Sequence, residues 1–196
     1  MAGSKDRSVR ELALHVLDIL QNTVEAGATR VTLTIHEDIT ADRLTITVMD
    51  NGRGMDAATA ARVTDPFYTT RKTRHVGLGL PLYAMAAEQA GGGLRILSQP
   101  GLGTTVEATF QLSHPDRQPL GDMACTLLAF LLSERTPGLQ YAHRLSRTPM
   151  YDNAKIFEFD TADIRAELGD VPFTHPAVAQ WLAEFLEDGE NVLRMA

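Results

Sequence analysis

Apolar residues in the first half of the chain recur with two different periods, one typical of helices and one typical of strands. Between Val9 and Ala26 they recur every three or four residues, which predicts an amphipathic helix that ends at Gly27. Every second residue is apolar over 30–36 and again over 43–50, and the polar residues between these segments are typical of a turn. A helix followed by a β-hairpin is therefore predicted.

Two helices and two strands are predicted after the hairpin. A short alanine-rich helix over 56–63 precedes a polar and basic segment over 64–76. A further helix covers 80–90, with a proline in its first turn, where proline is tolerated. Strands over 94–98 and 104–112 follow this helix and are joined by a turn that contains two glycines and a proline.

Residues 114–121 are the best candidate for a linker, because prolines and polar residues are concentrated there. They divide the chain into a first domain over 1–113 and a second domain over 122–196. The second domain is predicted to contain an apolar helix, two strands and two further helices, which makes it a small α+β domain. Its aromatic residues are typical of a core, and a partner-docking or regulatory module is the functional alternative.

The composition of the 196-residue chain limits what it can bind. Hydrophobic residues make up 44% of the sequence and charged residues 22%, which is typical of a chain with a folded core. The formal net charge of −7 argues against nucleic acid and membranes as partners, since no surplus of basic residues is available for phosphates. The longest apolar run, over 123–132, has about half of the roughly 20 residues of a membrane span. With Cys125 as the single cysteine, we expect a cytoplasmic protein without internal disulfides.

The first candidate for chemistry is a pair of polar residues on the first predicted helix. Asp18 and Asn22 are four residues apart and therefore share one face, away from the apolar stripe. A carboxylate beside an amide oxygen suits a hard cation such as Mg²⁺ when phosphates and water complete its coordination. The same pattern is also typical of an ordinary solvated helix face.

A second candidate follows directly after the strand over 43–50. The segment Asp50-Asn51-Gly52-Arg53-Gly54-Met55 places a carboxylate at the strand's end. Such a carboxylate can accept a hydrogen bond from the amine of adenine, and glycines let the backbone pass close to a flat base. An ordinary Asn-Gly turn is the alternative.

Two further segments complete the set. The first runs from Asp65 through two threonines to Arg71 and leads into Gly77-Leu78-Gly79-Leu80 at the start of a helix. Its hydroxyls, its guanidinium and the free backbone N–H groups suit a triphosphate, although the segment is neither a Walker A loop nor a dinucleotide fingerprint. The second opens a strand with Gly103-Thr104, where Thr104 can share a water molecule with Asp50 and a base. Taken alone, each is also typical of an ordinary loop or hairpin turn.

In this order, the four segments resemble the N, G1, F/G2 and G3 boxes of the GHKL family of ATP-binding proteins, and most of all histidine-kinase catalytic domains. The resemblance covers roughly residues 9–112. It implies the Bergerat fold, a two-layer α/β sandwich with a mixed sheet and helices on one face. It also implies ATP and Mg²⁺ as ligands.

The resemblance carries roles over to particular residues. Asn22 is expected to hold Mg²⁺ against the phosphates, and Asp18 to act as the catalytic base. Asp50 is expected to bind the adenine amine with support from Thr104, and 69–76 to form a short lid. The residues assigned to ATP binding are Asn22, Asp50, Gly52, Gly54, Met55, Tyr68, Thr69, Thr70, Arg71, Gly77, Leu78, Gly79, Leu80 and Thr104.

The expected function is that of a histidine-kinase-like signalling protein that hydrolyses ATP or transfers its γ-phosphate to a partner protein. Only about eight residues precede the first predicted helix, so we expect the phospho-acceptor to lie on another chain. The alternative is an ATP-dependent conformational switch that binds and regulates a partner without hydrolysis. The sequence leaves a homodimer open.

Overall fold

The computed structural model describes residues 11–65, 79–133, 135–147 and 154–194. In chain order the elements are α1 (Leu12–Glu25), β1 (Arg30–Asp38), β2 (Arg43–Asp50), α2 (Ala57–Arg62), α3 (Gly79–Gln89), β3 (Gly93–Gln99), β4 (Gly103–Gln111), α4 (Met123–Leu131), β5 (Gly138–Ser146), β6 (Lys155–Asp160), α5 (Thr161–Leu168) and α6 (Pro176–Arg194). These bounds agree with the predicted helices and strands to within a few residues.

The strands form one mixed sheet in the order β3-β4-β2-β1-β5-β6. β1 and β2 pair as the predicted antiparallel hairpin, and β4 pairs antiparallel with both β2 and β3. β5 lies parallel to β1, and β6 returns antiparallel beside β5. The predicted α/β class with a mixed sheet is confirmed.

The helices cover the face of the sheet that carries the alternating apolar residues. Leu33 and Ile35 of β1 are fully buried on this face, whereas Thr34 on the opposite face is only half-buried. α1, α3 and α6 contact the apolar face, and α4 packs against α1 and α6. No helix in the described part of the chain is long and apolar enough to cross a membrane.

The sheet and the core continue across the predicted boundary at 114–121. β5 and β6 extend the sheet of the first half, and one cluster of buried apolar side chains includes residues from both halves. The segment itself contacts α1, because the carbonyl oxygens of Pro119 and Leu120 accept hydrogen bonds from the backbone N–H groups of Leu12 and Ala13, at 3.0 and 2.8 Å. It thereby satisfies two donors that a helix N-terminus leaves unpaired. The two-domain prediction did not anticipate this continuity.

A buried polar network joins the two halves at the far end of β1. The imidazole of His143 contacts Glu190 of α6 through Nδ1 at 3.0 Å and Glu37 of β1 through Nε2 at 3.1 Å. The Tyr141 hydroxyl donates to Glu190 at 2.6 Å. Burial alone would lower the pKa of His143, but its hydrogen bonds to the two carboxylates outweigh burial and raise that pKa to about 9. His143 is therefore a buried imidazolium held between two carboxylates.

The stability of the chain should fall in alkaline solution because of this network. Protonated His143 contributes fully below its ordinary pKa of 6.5, and the contribution, at most about 3 kcal/mol, is lost as the pH rises through about 9. Glu190→Gln removes one carboxylate and should flatten this part of the pH profile. Denaturant unfolding from pH 6 to pH 10, with the exposed Glu187→Gln as control, measures the difference. Equal pH profiles for both variants would contradict the assignment.

Candidate functional site

Asp50 and Thr104 lie directly opposite each other at the ends of β2 and β4. Asp50 is two residues after the buried Val48, and Thr104 is two residues before the buried Val106. Since side chains alternate along a strand, both Asp50 and Thr104 face the helices. The register therefore brings together the two residues that the sequence assigned to the base.

The Asp50 carboxylate is half-buried, and a backbone hydrogen bond holds it in position. Its Oδ1 accepts a hydrogen bond from the Gly52 N–H group at 2.7 Å. Burial raises the pKa of this carboxyl above its usual value, and hydrogen bonds from the Gly52 and Thr104 backbone N–H groups act in the opposite direction. A carboxylate can accept more hydrogen bonds than these two, so Asp50 keeps acceptor capacity for a ligand.

The loop after β2 is held in place by the end of α1 and the start of β1. The Asn51 amide oxygen accepts hydrogen bonds from two backbone N–H groups at the start of β1, both at 2.9 Å. Arg53 donates from its backbone to the Ala26 carbonyl at 2.9 Å and from its guanidinium to the Glu25 carbonyl at 3.0 Å. A positive charge at the carboxyl end of α1 also complements the helix dipole. The loop is thus fixed against α1.

Two glycines of this loop lie where a side chain does not fit. A Cβ at Gly52 would lie 2.8 Å from the Ala26 Cβ and 2.9 Å from the Asp50 Oδ1. Gly54 has a φ of +63°, and a Cβ there would overlap the carbonyl oxygen of Gln99. Both glycines therefore allow the close packing that shapes this end of the site.

A hydroxyl on β3 joins this loop to β4. The Ser98 Oγ accepts a hydrogen bond from the Met55 N–H group at 2.8 Å and donates to the Gly103 carbonyl at 3.1 Å. It also lies 2.9 Å from the Thr104 Oγ1. Met55 and Thr104, both predicted site residues, are thus connected through Ser98.

The second group of predicted site residues lies along α1 and at the start of α3. Asp18 is exposed, and Asn22 lies one turn further along the helix and is half-buried. A Cβ at Gly79 would lie 3.3 Å from the Asp18 Cβ and Oδ2, so the first residue of α3 is in contact distance of that side chain. Leu80, which follows it, packs against the core.

Part of the predicted site falls outside the described residues. The whole of the expected lid over 69–76 lies outside them, as do the predicted site residues Tyr68, Thr69, Thr70, Arg71, Gly77 and Leu78. Within the described ranges, no three His, Cys, Asp or Glu side chains are placed so that they could hold a metal ion.

Sequence reasoning missed three residues that hold the site together, namely Asn51, Arg53 and Ser98. Asn51 and Arg53 lie inside a motif that was recognised for its glycines and for Asp50. Ser98 lies in a strand whose local pattern gives no sign of a special role. Only the pairing of Ser98 with Thr104 in the sheet identifies it.

The family model for histidine kinase-, DNA gyrase B- and HSP90-like ATPases matches residues 8–114, more than half of the chain. Sensor protein kinase FleS of Pseudomonas aeruginosa is 43% identical over 89 residues, which are 45% of this chain and 22% of that protein. The signal transduction histidine-protein kinase AtoS of Escherichia coli is 38% identical over 108 residues, 54% of this chain and 17% of that protein. The chain thus spans about a fifth of the length of these two kinases.

Among solved structures, the N-terminal domain of a DNA repair protein has a similar fold. The TM-score is 0.51 at 13% sequence identity, and the match covers 75% of this chain and 51% of that one. This likeness concerns the fold alone. The structural match covers 75% of the chain, whereas the family model matches residues 8–114 alone. The likeness in fold therefore extends beyond the region that the family model matches.

Replacing Gly54 with alanine should destabilise the protein strongly. The substitution combines a left-handed backbone conformation with overlap on the Gln99 carbonyl, so we expect a loss of about 2–5 kcal/mol in the free energy of unfolding. Gly93→Ala is the matched control, because a Cβ there meets nothing within 4 Å. Chemical denaturation of both variants tests this. A Gly54→Ala variant as stable as the control would show that the loop packs differently.

Proposed function

Because the chain belongs, over residues 8–114, to the histidine kinase-, DNA gyrase B- and HSP90-like ATPase family, we propose that it binds Mg-ATP and transfers the γ-phosphate. The acceptor in this proposal is water or a side chain of a partner protein. The sensor kinases among its relatives support a role in phosphate-based signalling.

The observation that carries the proposal is the course of α1 between the two groups of site residues. Ala26, just after the helix, lies against the loop at Gly52 beside Asp50, whereas Asp18 lies beside the start of α3 at Gly79. Eight residues separate Asp18 from Ala26, or about 12 Å at 1.5 Å per residue. An extended nucleoside triphosphate separates its base from its terminal phosphate by a distance of this order.

The Asp50 end is suited to the base. Its half-buried carboxylate accepts hydrogen bonds, and the exocyclic amine of adenine donates them. Gly52 and Gly54 keep side chains out of the adjacent space. We assign Asp50, Gly52, Gly54, Met55 and Thr104 to adenine binding.

The other end is suited to the phosphates. Asn22 supplies an amide oxygen for Mg²⁺, and the N-terminus of α3 at Gly79 and Leu80 supplies backbone N–H groups for phosphate oxygens. Magnesium neutralises phosphate charge when it is bound, and it needs few protein ligands because phosphates and water complete its coordination. Asp18, exposed beside α3, is the candidate base that takes the proton from the attacking hydroxyl or water.

A nucleotide-dependent switch is the second candidate, because Asp18, a shorter carboxylate, stands where the family usually has Glu or Asn. In that case ATP binds without being turned over, and a partner recognises the bound state. We expect the partner or acceptor on another chain, and a homodimer remains a prediction.

Asp50→Asn should weaken ATP binding by at least about tenfold. The substitution keeps the size of the side chain but replaces an acceptor with an amide that also donates toward the amine of adenine. Calorimetric titration with ATP and Mg²⁺ measures the affinity, and Asp116→Asn, at an exposed position, is the control. Equal affinity in the natural chain and Asp50→Asn would remove Asp50 from the base site.

Asp18→Asn should leave ATP binding nearly unchanged and lower turnover by about 10²–10⁴, the usual contribution of a general base. Incubation with γ-labelled ATP and Mg²⁺ separates free phosphate from label on protein, with Asp50→Asn as background and Gln21→Ala, at an exposed residue of α1, as the control. Label released as phosphate makes the protein an ATPase, and label on protein makes it a kinase. Bound ATP with no label moved favours the switch, and full turnover by Asp18→Asn excludes Asp18 as the base.

A further inference from the structure

Ser98 of β3 has three hydrogen-bond partners around its hydroxyl, and only one placement of the hydrogens makes all three contacts hydrogen bonds at once. Met55 N–H can only donate, so Ser98 accepts from it at 2.8 Å. The Gly103 carbonyl can only accept, so Ser98 gives it its single hydrogen at 3.1 Å. In the arrangement that satisfies all three contacts, Thr104 Oγ1, at 2.9 Å, donates its hydrogen to a Ser98 lone pair.

This direction decides what Thr104 offers to the pocket. Its only hydroxyl hydrogen points to Ser98, so the part of Thr104 Oγ1 that remains for a ligand is its lone pairs. Thr104 lies opposite Asp50 on the helix side of the sheet, and its backbone N–H group also bonds the Asp50 carboxylate. Two acceptors therefore lie side by side at this end of the site.

We propose that Ser98 is a positioning residue that makes this end of the pocket accept hydrogen bonds only, and so selects adenine over guanine. The proposal rests on the proposed ATP binding and deepens it. The exocyclic amine of adenine has two N–H donors, one for each of Asp50 and Thr104. The keto oxygen of guanine is itself an acceptor, and it would face the two acceptors of Asp50 and Thr104 without a hydrogen between them. Ser98 acts through Thr104 and needs no contact with the base.

The consequence of removing Ser98 is specific. In Ser98→Ala the Thr104 hydrogen is released and can turn toward the pocket as a donor. Affinity for ATP should then fall, while affinity for GTP should stay equal or rise. The ratio of the GTP and ATP dissociation constants should drop by about tenfold, the value of one hydrogen bond. A purely structural role of Ser98 would weaken both nucleotides alike and leave the ratio unchanged.

The experiment measures dissociation constants for ATP, GTP and purine riboside triphosphate, which lacks the substituent at position 6, by calorimetric titration. Natural chain, Ser98→Ala, Thr104→Val and the double variant form a cycle. If Ser98 acts through Thr104, Ser98→Ala lowers the ratio of the GTP and ATP dissociation constants in the natural chain. In the Thr104→Val background the same substitution should leave that ratio unchanged. The purine analogue should bind Ser98→Ala and the natural chain alike, because it has no group at the affected position.

Thr109→Ala is the matched control, because Thr109 also donates from β4 to a β3 carbonyl, that of Gly93 at 3.4 Å, but on the other face of the sheet. Thermal unfolding of every variant checks the fold. Ser98→Cys serves as the second variant should Ser98→Ala fail to fold, because a thiol is a weak donor and acceptor and should give an intermediate ratio.

The outcomes separate this inference from the proposed function. A natural chain that prefers ATP, with an unchanged ratio in Ser98→Ala or Ser98→Cys, overturns the role of Ser98 and leaves ATP binding standing. Equal effects of Ser98→Ala in both backgrounds of the cycle overturn its action through Thr104. A natural chain that binds no nucleotide overturns the proposed function, and this inference with it.

Discussion

The antiparallel register between β2 and β4 is the constraint on which the candidate site depends. It pairs Asp50 with Thr104, and a shift of one residue would turn one of the two to the opposite face of the sheet. The register is maintained at this end by contacts that need glycine. Gly103, with a φ of +106°, leaves no room for a Cβ beside the Asp50 carbonyl, and Gly54 packs closely on Gln99. The glycines of the motifs are therefore needed for pairing as much as for contact with a ligand.

α1 transmits this constraint to the other half of the site. Arg53 holds the carboxyl end of the helix through the Glu25 and Ala26 carbonyls, close to Asp50. The same rigid helix carries Asp18 and Asn22, so their distance from the base end is set by helix geometry. A loop in this position would leave that distance variable, whereas an anchored helix fixes it before any ligand binds.

Local patterns identified most of the elements but not the contacts between them. Alternation over 43–50 and the motif that follows were enough to place Asp50 at a strand end. The parallel pairing of β1 with β5 joins residues more than a hundred positions apart, as for Leu33 and Tyr141, and leaves no local signal. The role of Ser98 also leaves no local signal, because it arises only where β3 pairs with β4 and contacts the loop at Met55. The contacts that could not be predicted are long-range pairings between residues whose local patterns are ordinary.

The second half of the chain packs against the strand and the helix that support the site. Its strands widen the sheet beside β1, and its buried ion pairs between His143, Glu37 and Glu190 tie α6 to that strand. The segment that leads into it holds the first turn of α1 through Pro119 and Leu120. α1 is thus fixed at its N-terminus by this segment and at its C-terminus by Arg53. A change in how Pro119, Leu120 or α4 packs against α1 therefore acts on the helix that carries Asp18 and Asn22.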